Sequence, residues 1–501
     1  MLNRGEPLVD HESHNNPSHT RVAIVGSGFA GLGLAIRLRQ EGRHDFVVFE
    51  RADEVGGTWR DNSYPGCACD VPSNLYSFSF APNPDWTRSF SPQPEILDYL
   101  RGCADRFGVR PHIRFGHEVL DARWDEAERR WHITTSHGEH TADYLALGIG
   151  PLSDPAVPDL PGLDTFEGTV FHSARWDHDH DLRDERVAVI GTGASAIQFV
   201  PQIQPLVGRL HLFQRTAPWV VPRTDRRFSQ LQHRLMRHLP GYQRALRTLI
   251  YWARETYVWG FVRPRVIRRL QGLAVRHLER QVPDPALRAK LVPDYTIGCK
   301  RILISSDYYP SLAEPNVEVV TEGVTEVRPK SVVAADGTER EVDTIVFGTG
   351  FHVTEPRAAG KVFGTGGRSL RDAWESSGGM SAYLGGAITG FPNLFMLIGP
   401  NTGLGHTSMV FMIESQLAYV LDCLRYMDEH GVATVDVRPE VQRAYNEEIQ
   451  SQLVDTVWNQ GGCRSWYLDD HGRNTTLWPT YTWRFRRRTR RFDSESYALG
   501  N

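Results

Sequence analysis

Two glycine-rich turns, Gly26-Ser27-Gly28-Phe29-Ala30-Gly31 and Gly191-Thr192-Gly193-Ala194-Ser195-Ala196, each follow an apolar run with the character of a strand. That order suits a dinucleotide. The first glycine permits the tight turn, the second lets the backbone approach a pyrophosphate, and the helix behind offers free N–H groups to the anion. The residue after the next strand tells the two cofactors apart. Twenty-four positions after Gly26, the run Phe46 to Phe49 leads into Glu50, a carboxylate suited to accept hydrogen bonds from an unmodified ribose, as FAD or NAD presents. Twenty-four positions after Gly191, the run Leu210 to Phe213 is followed by Arg215, whose guanidinium clamps the 2′-phosphate of NADP where a carboxylate would repel it. One such turn is a weak signal, but two in the same register point to a chain that holds two dinucleotides at once.

The elements that must position these residues divide the chain. Its 501 residues exceed what one core serves, so two or three domains are expected. The spacing predicts an α/β protein with two dinucleotide-binding Rossmann-like domains, for FAD and NADP, and a helical insertion. The FAD-binding domain is discontinuous, 21–150 and 358–501; the NADP-binding domain takes 151–227 and 292–357; the insertion takes 228–291. Proline-rich 151–161 marks the first boundary. Within the insertion, Leu231, Leu235, Leu239 and then Leu246, Leu249, Ile250 and Trp252 recur at helical spacing amid many arginines. Basic amphipathic helices lie on membranes or pack as a subdomain, and the packed subdomain is the expected reading. A glycine-rich turn at Gly399-Pro400-Asn401-Thr402-Gly403 precedes a helix predicted from about Thr407 to Met427. The basic run from Arg484 to Arg491 reads as a solvated or internally paired strip.

Composition narrows the partners. Fifty-six basic against 60 acidic residues provide no field that favours nucleic acid, so a small molecule is the expected partner, and oligomeric state stays open. The six cysteines are too few for a disulfide scaffold and read as bystander thiols of a reducing compartment. Cys67 and Cys69 form C-x-C rather than a dithiol redox pair, and no metal site is expected. Residues 1–20 are polar, which predicts a disordered tail, and no segment has the apolar length of a secretion signal or a membrane span. A cytoplasmic protein without membrane contact follows.

Two further stretches are more specific than the glycines. Gly56-Gly57-Thr58-Trp59-Arg60-Asp61-Asn62-Ser63-Tyr64-Pro65-Gly66-Cys67-Ala68-Cys69-Asp70 resembles the [AG]-G-x-W-x-x-x-x-[FY]-P-[GM]-x-x-x-D signature of type I Baeyer–Villiger monooxygenases, matching every specified position. Phe166-Glu167-Gly168-Thr169-Val170-Phe171-His172-Ser173-Ala174-Arg175-Trp176-Asp177 resembles the same family's F-x-G-x-x-x-H-[TS]-x-x-W-[PD] fingerprint. The resemblance implies an FAD-containing, NADPH- and O2-dependent enzyme that converts a ketone to an ester or lactone through a C4a-peroxyflavin. It also implies that Gly57, Thr58, Trp59, Tyr64, Asp70 and Asn401 line the FAD site with the first turn and Glu50.

Such chemistry needs a cation beside the flavin to hold a peroxide anion and the oxyanion formed on the ketone. Lys300-Arg301, ahead of Tyr308-Tyr309, resembles the family's K-R segment, which implies that Arg301 is catalytic and contacts NADP, that Asp70 pairs with it, and that Lys300 joins Arg215 and Thr216 in gripping the NADP phosphate. Arginine suits the task because its charge survives a desolvated pocket. For Phe166, Gly168, His172, Trp176 and Asp177, placed on an interdomain linker, the resemblance implies a role in domain motion; a structural histidine is the other reading of His172. Trp466 resembles a pocket-lining position, with packing as its other reading. The rival functions are sulfide or amine oxygenation, a flavin disulfide reductase, which would need a C-x4-C or C-x-x-C pair that is absent, and a redox sensor without turnover.

Overall fold

Short runs of Val, Ile, Leu and Phe that are buried along their whole length, such as Phe46–Phe49 and Thr344–Phe347, form the parallel strands at the centre of two sheets. The computed structural model describes residues 18–354 and 356–501. The first sheet runs in the order Val362–Phe363, Val119–Asp125, Arg130–Thr135, Gly138–Leu147, Ser18–Val25, Phe46–Phe49 and Ile113–Arg114, with Leu394–Met396 also paired to Gly138–Leu147. Two of its strands thus come from the last third of the chain. Trp131 helps to fix that return: it is fully buried, and its indole N–H donates to the carbonyl of Pro392 at 3.0 Å. The second sheet is parallel throughout, in the order Val317–Val320, Arg209–Phe213, Arg186–Ile190, Thr344–Phe347 and Thr169–His172.

Three expectations need correction. The tail predicted over 1–20 lies outside the described residues up to position 17, but Ser18 to Thr20 already belong to the first strand, in register with His140 to Ala142. His172 is not on a linker; it ends the edge strand Thr169–His172 of the second sheet, opposite Phe347, and Trp176 follows a single 3-10 turn later. The cysteines are not all bystanders, because Cys299 and Cys463 form a disulfide. The helix predicted from Thr407 runs over Met409–His430, with Ser408 as its N-cap accepting from the Val410 N–H.

Between Val221 and Leu303 the chain forms the helices Gln230–His238, Tyr242–Glu255, Val258–Phe261, Pro264–Gln281 and Pro285–Leu291. They are anchored rather than free. Tyr251 stacks on Phe411 at 4.7 Å, and the buried Glu255 carboxylate accepts from the Thr482 N–H (3.0 Å), the Thr482 hydroxyl (2.6 Å) and His406 Nε2 (3.1 Å). Three donors replace the water that a carboxylate loses on burial, which is the condition for keeping it inside. Among the described residues no helix is long and apolar enough to cross a membrane. In the basic run, Arg486 lies over the Phe411 ring and pairs with Glu414, while Arg488 pairs with Glu448.

One carboxylate in the last third is held against its preference. Asp436 lies in the strand Thr434–Val437, and burial raises its pKa to about 6 although both of its oxygens accept from the Gly390 N–H. The folded protein therefore keeps a proton that the unfolded chain has released, so this group's contribution is complete below its ordinary value of 3.8 and is lost as pH rises through about 6. Relative to wild type, Asp436→Asn is expected to gain up to about 3 kcal/mol over that window, with the difference levelling off above it. Thermal unfolding of both proteins at stepped pH measures it; parallel curves would refute the assignment.

Candidate active site

At the first glycine turn, Gly26 adopts φ +94° and Gly31 packs so closely under it that a Cβ at position 31 would overlap the Gly26 carbonyl. At Gly28 the surroundings are open, with the nearest atom to such a Cβ being Gly57 Cα at 3.7 Å. The helix Phe29–Gln40 starts at Gly28 with no side chain capping its first N–H groups. Phe29 and Ala30 are buried, Phe29 packing edge-on to Tyr76 and Phe78. The second turn repeats the plan: Gly191 has φ +112°, Gly193 and Ala194 are exposed, and the helix Ala196–Ile203 begins without a side-chain cap at Ser195. Each turn thus presents unpaired N–H groups at a helix N-terminus, the arrangement that suits a pyrophosphate.

Glu50 stands at the end of its strand, 4% exposed. It accepts from the Ser27 N–H (2.9 Å), the Ser27 hydroxyl (2.7 Å) and the Ala52 N–H (3.0 Å), and Arg60 Nη1 approaches to 3.0 Å. Ser27 and Arg60 were not singled out in the sequence. At the equivalent place in the second unit, Arg215 is exposed, and no carboxylate pairs with it or with Lys300 among the described residues. Lys300 loses basicity through burial and then through the charge of Arg215. Thr192 donates its hydroxyl to the Thr216 carbonyl at 3.2 Å, joining the glycine turn to the end of the neighbouring strand.

The first signature bridges the two units. Thr58 opens the short helix Thr58–Asp61, and the Trp59 indole donates to the Tyr76 hydroxyl at 3.1 Å. Gln198, from the helix behind the second turn, accepts from the Tyr64 hydroxyl (3.0 Å) and the Ala68 N–H (3.2 Å) and donates to the Ala68 carbonyl (3.0 Å). Gly66 makes this fit possible: a Cβ there would stand 2.7 Å from the Gln198 carbonyl oxygen. The bracket holds Asp70 toward Arg301. The guanidinium Nε and Nη2 both reach Asp70 Oδ2, at 2.7 and 2.6 Å, and Nη1 donates to the Leu404 carbonyl at 3.3 Å. Of the five N–H donors of an arginine these contacts engage three and leave two.

The attraction of Asp70 drives the Arg301 pKa further upward, against the opposing effect of burial, so the cation stays charged. About a third of its side-chain surface, 31%, and 27% of that of Asp70 remain open. Tyr467 is the neighbour that sequence reading missed. It is 1% exposed; burial pushes its phenol up to about 12, while the charge of Arg301 pulls the other way. Trp466, expected in the pocket, is 45% exposed with its ring against Tyr467 at 4.5 Å. Asn401, at φ +55°, donates to the carbonyls of Asn474 (2.7 Å) and Leu477 (3.0 Å), bracing the loop that supplies Leu404, and its Oδ1 is buried without a partner among the described residues.

In the second fingerprint, Gly168 abuts the Asp343 carbonyl, Phe166 packs on the second core, and Trp176 packs on Phe171 and Phe199. Asp177 caps a turn by accepting from the Asp179 N–H. Burial lowers the His172 pKa to about 4, and its Nδ1 accepts from the Ala174 N–H, so at neutral pH the ring is uncharged. Near Arg301, Cys67 is a buried thiol raised to about 12 by burial, and Cys69 is raised still further. Neither offers the thiolate that disulfide exchange requires.

Two Rossmann sheets, each followed by a glycine turn, together with one charged, partly open Arg–Asp pair define a flavin- and nicotinamide-dependent oxygenase. Comparison with known proteins agrees. The flavin-binding monooxygenase-like family model matches residues 19–242. A Baeyer–Villiger monooxygenase of Streptomyces coelicolor is 58% identical over 98% of this chain and 94% of its own length, and one of Pseudomonas aeruginosa is 54% identical over 96% and 92%. The crystal structure of cyclohexanone monooxygenase from Rhodococcus sp. Phi1 bound to NADP+ superposes with a TM-score of 0.86 at 28% identity, covering 97% of this chain and all of that one. An oxidised steroid monooxygenase bound to NADP superposes with a TM-score of 0.84 at 30% identity. The chain belongs to the Baeyer–Villiger monooxygenase family.

Proposed function

We propose that this chain uses NADPH and O2 to insert one oxygen atom between the carbonyl carbon of a ketone and a neighbouring carbon, yielding an ester or lactone, with the second oxygen atom leaving as water. The observation that carries this reading is the Arg301–Asp70 pair, charged, partly open, and placed where the two nucleotide units meet. FAD would lie along Gly26–Gly31 with its ribose toward Glu50 and its flavin end toward Gly57, Tyr64 and Asp70. NADP would follow Gly191–Ser195, its 2′-phosphate held by Arg215, Thr216 and Lys300. When bound, the reduced flavin activates oxygen, and the nicotinamide supplies the hydride that reduces it.

The protein's own contribution is electrostatic. The N–H donors of Arg301 that Asp70 and Leu404 leave over would serve the negative charge that develops on oxygen as the ketone is attacked, since donors fixed before the reaction stabilise that charge without reorganising. Asp70 fixes their direction by occupying Nε and one edge of the guanidinium. His172 is uncharged and turned into its own strand end, so it serves as packing rather than as a proton donor. One solved neighbour is a cyclohexanone-bound cyclohexanone monooxygenase, which supports a ketone as the substrate class.

The test is turnover of a panel of ketones and sulfides with NADPH, products identified by mass spectrometry. Esters or lactones are expected; sulfoxides from sulfides as the sole products, or no product, would overturn the reading. In the same assay Arg215→Ala and Lys300→Ala should each raise KM for NADPH about 10- to 100-fold, the worth of a charge-assisted phosphate contact, and leave KM for NADH nearly unchanged. Equal effects on both nucleotides would remove these residues from the 2′-phosphate site.

A further inference from the structure

We infer that the Cys299–Cys463 disulfide is a positioning element of the oxygenation site, which ties the Lys300-Arg301 segment to the segment carrying Trp466 and Tyr467, and that reducing it loosens the site. The inference rests on the role proposed above for Arg301. The bond joins residues 164 positions apart and stands beside both halves of the site: Cys299 directly precedes the two cations, and Cys463 comes four residues before Tyr467, whose buried phenol lies in the field of Arg301.

Few other ties do this work. From Gly461 to Tyr481 the chain forms no helix or strand; its longer-range backbone ties include the isolated bridges Leu468–Asn474 and Gly403–Leu477 and the Asn401 N–H donating to the Thr475 carbonyl, all of which lie beyond Tyr467. On the opposite side, Val292 to Ile302 is equally irregular. The two stretches are joined by the Thr296 N–H donating to the Gly461 carbonyl at 2.9 Å and by the disulfide, with Gly461 so close to Cys299 that a Cβ there would clash. Irregular chain without a hydrogen-bonded ladder belongs to the low-stability end of a structure, so a covalent cross-link has a large share in its order.

Cys299 is buried and Cys463 is half-buried, so the Cys463 sulfur is the one at which attack by a small dithiol is expected. Its thiolate attacks Cys463 Sγ and breaks the S–S bond; Cys299 Sγ leaves with the bonding electrons and takes a proton. The second thiol of the reductant then closes its own disulfide and frees Cys463. Two electrons and two protons pass from reductant to protein, which ends with two thiols.

The experiment compares the oxidised holoenzyme, the same protein after dithiothreitol treatment and removal, and Cys463→Ser. Alkylation mass spectrometry counts the thiols, and ester and hydrogen peroxide are measured per NADPH consumed. Reduced wild type and Cys463→Ser should keep their flavin while the peroxide-to-ester ratio rises on the order of tenfold, since small displacements of a positioning group cost that much or more. Cys463→Ser should not respond to dithiothreitol, and reoxidation should restore only wild type. Hydrogen exchange over 461–467 should accelerate on reduction whether or not any ketone is turned over, which separates this inference from the proposed reaction. Unchanged exchange and an unchanged ratio would overturn it, as would release of both thiols by NADPH alone without oxygen, because the disulfide would then be carrying electrons instead of holding chain.

Discussion

Arg301→Ala is expected to yield a folded, flavin-containing protein that oxidises NADPH but forms ester at least about 100- to 1000-fold more slowly, the loss seen when one preorganised donor to a developing oxyanion is removed. Flavin retention follows from geometry. Arg301 bonds to Asp70 and the Leu404 carbonyl, whereas the Gly26–Gly31 turn and Glu50 are built from other elements. Oxygen consumed without ester should be recovered as hydrogen peroxide. Asp70→Ala should go the same way, because the guanidinium loses the contact on Nε and Nη2 that aims it; Asp70→Asn, with one acceptor oxygen left, should fall between. Product chromatography beside a peroxide assay reads all three. Intact ketone turnover by Arg301→Ala would dismiss the assignment.

The second large effect separates two glycines in one turn. Gly31→Ala should leave little soluble, flavin-loaded protein, since its Cβ would overlap the Gly26 carbonyl and neither partner is a flexible side chain. The helix Phe29–Gln40 would have to move off the strand Ser18–Val25, at a cost of about 1–3 kcal/mol or more. Gly28→Ala meets only Gly57 Cα at 3.7 Å, an ordinary contact, so the fold should survive. What Gly28→Ala should lose is FAD, because a methyl group there intrudes on the path of the pyrophosphate. The measurements are thermal unfolding of flavin-stripped protein and flavin absorbance per protein after gel filtration. A Gly28→Ala protein that keeps full flavin would place the nucleotide elsewhere.

What could be read in the sequence follows a physical pattern. The two turns, Glu50 and Arg215 were legible because a strand, a tight turn and a helix N-terminus are contiguous in the chain, and each demands particular residues at fixed offsets. Arg301 and Asp70 were legible only through the family signatures, since no periodicity links positions 231 residues apart. What the sequence hides has a common cause. The place of His172 in a sheet is hidden because a four-residue edge strand next to a proline-rich stretch lacks the length that reveals a strand. The pairing of Cys299 with Cys463 is hidden because their spacing matches no local motif. Tyr467 rather than Trp466 is the buried one, and which of two adjacent aromatics faces inward depends on the path of an irregular segment.

The amino-acid order by itself determined the number of Rossmann-like units, the sign of the charge that follows the second strand of each, and the chemistry available to an Arg–Asp pair, because these depend on residue type and local backbone conformation. The tertiary structure alone decided that Gln198 brackets the Tyr64–Asp70 loop, that the Leu404 carbonyl takes one edge of Arg301, and that a disulfide joins Cys299 to Cys463. Those contacts join segments more than 100 residues apart, and such segments meet only when two independently formed sheets pack together.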